Sequence, residues 1–187
     1  MTGENIKQAL RTTVTILEEI GLPYAIVGAL TLGFYGEGRA TRDVDLLVDG
    51  DEASLDRVRA AAAQRGIPED TEWLEQNPGL RYSHVRLMHG DVPVDVMLPR
   101  DDQDRSACGR KHIRSAIDRS FWVVSPEDFI LQKMKAGRPR DFDDAIPFFT
   151  QEREQLDHEY LNRWALRLGV REELDYLWSQ SDRPTQP

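Results

Sequence analysis

Asp43 and Asp45 are separated by one residue in the segment Arg42-Asp43-Val44-Asp45-Leu46-Leu47-Val48, and a third carboxylate, Asp95, interrupts the run Val92-Pro93-Val94-Asp95-Val96. In an extended strand alternate side chains share a face, so Asp43, Asp45 and Leu47 point one way while Val44, Leu46 and Val48 point the other. Two carboxylates about 7 Å apart on one strand face, at a rise of roughly 3.3 Å per residue, repel each other and protonate in part unless a cation neutralises them. A divalent metal is the obvious cation. Asp95 shares a face with Pro93 and Met97, opposite Val92, Val94, Val96 and Leu98. Buried there it needs a partner or a metal, whereas Pro93 also admits a solvated edge strand.

These carboxylates must be held by strands, and the flanking sequence supplies them. Tyr24-Ala25-Ile26-Val27 reads as a short buried strand that breaks at Gly28-Ala29 and enters a short apolar helix over 30–35. A glycine at such a turn lets the backbone approach a ligand closely, and the unpaired N–H groups of the following helix favour a phosphate. Gly36-Glu37-Gly38 turns the chain back into a strand over 43–48. Before this stretch, Ile6, Leu10, Val14, Ile16, Leu17 and Ile20 recur at three- and four-residue intervals, an amphipathic helix over 4–19 ended by Gly21-Leu22-Pro23. After it, 51–64 reads as a helix closed by Gly66, and 81–88 and 92–98 as two strands joined through His89-Gly90-Asp91.

Residues 99–119 are polar and basic and read as a loop followed by a short helix that carries Arg105, Arg110, Lys111 and Arg114, with a further strand over 121–124. Ser125-Pro126 is a helix start, an N-cap serine followed by proline at the first position. That helix runs to Gly137, another follows Arg138-Pro139-Arg140-Asp141, and two more lie at 157–168 and 171–178. The expected architecture is α/β (α+β): a core with a mixed sheet flanked by helices over 1–124, a helical C-terminal part over 125–180, and a loose tail over 181–187. All four tryptophans, Trp73, Trp122, Trp164 and Trp178, read as structural. His84, His89, His112 and His158 show no spacing that suggests a metal or acid–base pair.

Net charge sets limits on partners. The chain of 187 residues carries −9 at neutral pH, which argues against a protein that coats nucleic acid non-specifically. Residues 105–140 nonetheless hold nine Lys or Arg against Asp118, Glu127 and Asp128, a local +6 between two acidic parts. The single Cys108 cannot form an intramolecular disulfide, which makes a reducing, cytoplasmic setting the default. No stretch approaches the roughly 20 apolar residues of a membrane span, and the first 21 residues lack a signal-peptide core.

Gly28-Ala29, Asp43-Val44-Asp45 and Asp95 together resemble the nucleotidyltransferase superfamily, whose pattern is a Gly-Ser or Gly-Gly turn, an Asp-x-Asp pair and a third Asp on a neighbouring strand. More narrowly, Gly28-Ala29-Leu30, the segment Arg39 to Asp45, and Leu131 to Asp141 with Asp144 look like the AbiEii-like group. Many members of that group are toxins of type IV toxin–antitoxin pairs. The resemblance covers about residues 20–150. It implies a minimal nucleotidyltransferase fold with Asp43, Asp45 and Asp95 as catalytic residues and as ligands of Mg²⁺ (or Mn²⁺), Asp95 also being a candidate general base. It further implies a nucleoside triphosphate co-substrate, ATP among the candidates, seated by Gly28 and Ala29 and met by Arg39, Thr41, Lys133 and Arg138. Asp141 and Asp144 would orient those cations rather than bind metal. Ala29 departs from the pattern by lacking a hydroxyl.

The reaction so implied moves a nucleoside monophosphate to an acceptor hydroxyl, with an RNA end such as tRNA favoured by the basic band, a protein or small molecule as other acceptors, and a cognate antitoxin as a partner. A catalytically silent nucleotide-binding module of the same fold is the alternative of a different class. A metal-dependent phosphohydrolase fits the carboxylates but lacks a histidine-rich ligand set.

Overall fold

The computed structural model describes residues 3–116 and 119–181. It divides the chain into two compact units, Met1–Val124 and Ser125–Pro187.

In the first unit the chain runs α1 (Gly3–Glu19), β1 (Tyr24–Val27), α2 (Leu30–Phe34), β2 (Val44–Val48), α3 (Glu52–Ala63), α4 (Thr71–Gln76), β3 (His84–His89), β4 (Val92–Met97), α5 (Asp102–Arg110), β5 (His112–Ala116) and β6 (Arg119–Val123). The six strands form one mixed sheet in the order β3-β4-β2-β1-β6-β5. β1 lies antiparallel to β2 and parallel to β6, and β2 lies parallel to β4. Both short connections are explained locally. Asp51 caps α3 by accepting from the Ser54 N–H at 2.9 Å, and Gly90 takes φ +60° in the β3–β4 turn.

Alternation along the strands sorts the sheet into two faces. Tyr24, Ile26, Val44, Leu46, Val48, Val92, Val94 and Val96 join α1 and α3 in one hydrophobic core through Leu10, Val14, Leu17, Leu55 and Val58. The residues between them, Val27, Asp45 and Asp95, therefore face the other way.

Several sequence expectations need correction. The second strand begins at Val44, so Asp43 precedes it rather than lying within it. β4 is not an edge strand: it runs between β3 and β2, and Pro93 stands one residue before the first β2 pairing, Val44 with Val94, where there is no β2 ladder to break. Asp95 is accordingly 6% exposed and not solvated. The basic segment after Arg110 is a strand rather than helix, placing Arg114 on β5 opposite Phe121. α4 and the 3-10 turn Pro78–Leu80 form where no element was expected, α4 being capped by Asp70. Trp122 points outward on β6 and is 37% exposed.

The second unit is helical: α6 (Pro126–Ala136), α7 (Pro139–Glu152), α8 (His158–Leu168) and α9 (Arg171–Ser181). Ser125 caps α6 as its type demands, and Gly137 ends it at φ +62°. The unit's interior is apolar around Phe129, Phe148, Phe149, Leu161 and Leu177. Asp128 is fully buried yet satisfied, accepting from the Tyr160 hydroxyl at 2.6 Å and the Ser125 hydroxyl at 2.8 Å. Ser181, expected to open the loose tail, ends α9, and 182–187 lie outside the described residues.

Candidate active site

The register of the sheet places Val27, Asp45, Asp95 and Arg86 in one row across β1, β2, β4 and β3. Asp45 and Asp95, fifty residues apart in sequence, are thereby direct cross-strand neighbours on the face away from α1 and α3.

Gly28 closes on this row. It follows β1 at φ +66°, and a Cβ built on it would strike the Asp45 carboxyl group, its Cγ only 2.9 Å away. The turn is thus pressed directly against the carboxylate, and only a residue without a side chain fits. Ala29 caps α2 without any side-chain hydrogen bond and is buried. Before β2, the Thr41 hydroxyl donates to Asp43 Oδ1 at 2.6 Å, which fixes that carboxylate beside the strand that carries Asp45. Arg39 lies just upstream and donates to the Ala40 carbonyl.

Arg86 is the residue that sequence reasoning missed. Its Nε and Nη2 donate to Asp95 Oδ1 and Oδ2 at 2.8 and 2.7 Å, a two-pronged ion pair that is 20% and 9% exposed on its two sides. The Trp73 ring of α4 covers the guanidinium, whose carbon lies 3.7 Å from the ring centre. Trp73 is therefore structural in a specific sense, since it seats Arg86. The hydrogen bonds to Asp95 raise the Arg86 pKa further; burial opposes them, and the nearby charges of Asp95, Asp70 and Asp43 reinforce them. The signal was present in the sequence. Once Gly90-Asp91 is taken as a tight turn closed by His89 and Val92, counting three residues back and forward sets Arg86 opposite Asp95.

Lys133 and Arg138 belong to the helical unit. Lys133 Nζ, nearly buried, donates to Asp141 Oδ1 at 3.1 Å and Asp144 Oδ2 at 2.7 Å, and Arg138 Nε donates to Asp141 Oδ2 at 2.7 Å. Asp141 and Asp144 thus hold cations. Burial alone would raise the Asp141 pKa, but the hydrogen bonds and charges of Arg138 and Lys133 outweigh it and bring it below the ordinary value.

Asp43 and Asp45 are hard oxygen donors of the kind Mg²⁺ takes, and the absence of a side chain on Gly28 is what lets the Asp45 carboxylate lie against the turn. Asp95 does not fit that role in the same way, because Arg86 engages both of its oxygens. Among the described residues no group of three or more His, Cys, Asp or Glu comes together as a metal site.

No family model and no curated protein matches the chain. Solved structures do. The antibiotic-resistance factor ANT(2'')-Ia in complex with adenylyl-2''-tobramycin superimposes with a TM-score of 0.61 at 16% identity, over 92% of this chain and 99% of that one. A putative nucleotidyltransferase from Thermotoga maritima gives 0.55 at 14% identity over 81% and 96% of the two chains. The lincosamide antibiotic adenylyltransferase LnuA, with lincomycin bound, gives 0.54 at 14% identity over 79% and 96%. The fold is that of nucleotidyltransferases. Within that fold the carboxylate row and the Gly28 turn occupy one face of the first unit, and no helix among the described residues is long and apolar enough to cross a membrane.

Proposed function

We propose that the protein is a metal-dependent nucleotidyltransferase that moves a nucleoside monophosphate from a nucleoside triphosphate to an acceptor hydroxyl. The observation that carries this reading is the contact of the Gly28 turn with Asp45, in a row that continues to Asp95. Asp43 and Asp45 would hold Mg²⁺ or Mn²⁺, with Gly28, Ala29, Arg39 and Thr41 around the triphosphate. A bound divalent ion would polarise the α-phosphate and stabilise charge on the leaving pyrophosphate. The acceptor oxygen bonds to the α-phosphorus, the bond to the bridging oxygen breaks, and pyrophosphate leaves with that electron pair. The hydroxyl proton departs through Asp95. Arg86 occupies two of the roughly four lone-pair positions of the Asp95 carboxylate, which leaves others to accept from the hydroxyl.

An RNA end such as that of tRNA is the first acceptor. Arg105, Arg110, Lys111 and Arg114 follow one another along α5 and β5, and Trp122, paired with Ile113 across β5 and β6, exposes a ring on which a base can stack. The likeness of the Arg39–Asp45 and Leu131–Asp141 segments to AbiEii-like proteins suits a toxin with a cognate antitoxin acting in the cytoplasm. A second reading, a cationic, hydroxyl-rich small molecule, is favoured by the net charge of −9 and by the tobramycin and lincomycin complexes of the similar structures.

The test incubates each NTP labelled at the α-phosphate with Mg²⁺, protein, and separate tRNA, protein and aminoglycoside acceptors. Label is expected on one acceptor class and to be absent with Asp45→Asn. Nucleotide binding without label on any acceptor would establish the silent module instead.

A further inference from the structure

We infer that the chain associates with a second copy of itself, the basic face of the β5–β6 hairpin in one copy seating in an acidic, apolar groove between α7 and α9 of the other. The groove lies within the helical unit and encloses about 490 Å³. α7 buries Asp141, Asp144, Ala145, Phe148 and Phe149, while Phe142 and Ile146, four residues apart and so on one side of the helix, stay half-buried at the margin of that stripe. They line the groove with Tyr176 of α9, which is 47% exposed; the Phe142 and Tyr176 rings meet edge to face, 5.8 Å between centres. Asp143, Glu172 and Glu173 complete the wall, and among the described residues no Lys or Arg lines it. An aromatic and aliphatic floor with three carboxylates suits an apolar surface that carries cations.

The chain presents such a surface on its first unit. Ile113 pairs with Trp122 across β5 and β6, and the Ser115 and Ser120 hydroxyls meet at 3.1 Å, so these four side chains share a face opposite Arg114 and Phe121. Ile113 is 57% exposed, Lys111 lies over the Trp122 ring at 5.5 Å, and Arg110 adjoins it. Like surfaces do not suit each other. Pairing the outer strand β5 with its own copy about its central residue sets Arg114 against Arg114, and groove against groove sets carboxylates against carboxylates. The contact is between unlike surfaces, which gives a closed dimer where two contacts reciprocate and a longer assembly where they do not. Repulsion between two chains of −9 is screened beyond roughly 8 Å at physiological ionic strength, so the local opposite charges decide the contact. None of this depends on the transferase reading, although a copy seated on the hairpin and an RNA end on the same face exclude one another.

Analytical ultracentrifugation of the full chain over a range of concentrations tests the inference. Mass should rise above the 21.4 kDa monomer as concentration increases. Arg110→Glu with Lys111→Glu should sediment as a monomer, as should Glu172→Lys with Glu173→Lys. An equimolar mixture of these two variants should associate again, because each hairpin then meets a groove of opposite charge, a rescue that misfolded chains cannot give. Circular dichroism checks each fold; if a charge variant does not fold, Ile113→Ser, at an exposed position, carries the test and should weaken association about tenfold. Association that survives both charge changes, that mixing does not restore, or that Ile113→Ser leaves unaltered would overturn the inference. A monomer at every concentration would overturn it too, and would leave the groove to a basic peptide of another protein.

Discussion

Gly28 shows how one missing side chain can be as informative as three carboxylates. Its φ of +66° would cost an alanine about 1–2 kcal/mol by itself. The added Cβ would also displace the Asp45 carboxylate, so Gly28→Ala is expected to lower urea stability by more than that conformational cost and to weaken Mn²⁺ binding as Asp45→Asn does. Native stability together with native Mn²⁺ affinity would show that the turn and the carboxylate are independent. Gly28, Asp43 and Asp45 were legible in the sequence because two carboxylates at strand spacing repel until a cation joins them, and a glycine straight after a buried strand marks a turn that a ligand can approach. The pairing of Asp45 with Asp95 was not legible, since it depends on a parallel register between strands fifty residues apart. Arg86 was legible only by counting through the β3–β4 hairpin, and nothing about an arginine in a half-buried strand announces its partner.

Among the elements, α6 and α7 are joined by a buried charge cluster whose energetic sign can be tested. Lys133 is 10% exposed in its side chain, and its partners Asp141 and Asp144 are 2% and 3% exposed. Replacing Lys133 by Met takes the shared ammonium from two buried carboxylates, of which Arg138 still holds Asp141, and is expected to destabilise the helical unit by up to about 3–5 kcal/mol, read as a lower midpoint in thermal or urea unfolding. Unchanged stability would show that the two carboxylates are satisfied without Lys133. The same cluster sets an acid limit. The Asp141 pKa is below its ordinary 3.8, so the folded state binds the proton less readily than the unfolded chain does. The resulting stability is present above 3.8 and is lost as pH falls through the lower folded value. Circular dichroism melts between pH 6 and pH 2 should show this decline, and Asp141→Asn should flatten it. The helices of this unit were readable from Ser125-Pro126, Gly137 and the apolar spacing. α4 and β5 were not, because α4 buries no residue and β5 is exposed or half-buried along its length, so neither carries a clear apolar period.

At the scale of the whole molecule the question is how a chain of net charge −9 meets its acceptor. The basic band carries +6 in sequence, but the fold uses part of it internally: Arg119 pairs with Glu18, Lys133 and Arg138 with Asp141, and Arg114 stacks on Tyr35. Arg105, Arg110 and Lys111 follow closely in the first unit, Lys111 lying over the Trp122 ring, whereas Lys135 and Arg140 belong to the helical unit. An RNA acceptor engaging about three phosphates should therefore bind with a modest salt dependence, a slope near −2 in log K against log salt at about 0.7 per contact. The paired change Arg110→Glu with Lys111→Glu should remove most of that slope while leaving binding of the free nucleotide intact. A polycationic acceptor predicts a different pattern. Its KM would rise with salt because the long-range attraction of an acidic protein is screened beyond roughly 8–10 Å, and the charge reversal at Arg110 and Lys111 would lower KM rather than raise it. Measuring transfer to tRNA and to an aminoglycoside between about 50 and 300 mM salt, where phosphate contacts lose affinity most visibly, separates the two acceptors by the sign of the response to that reversal.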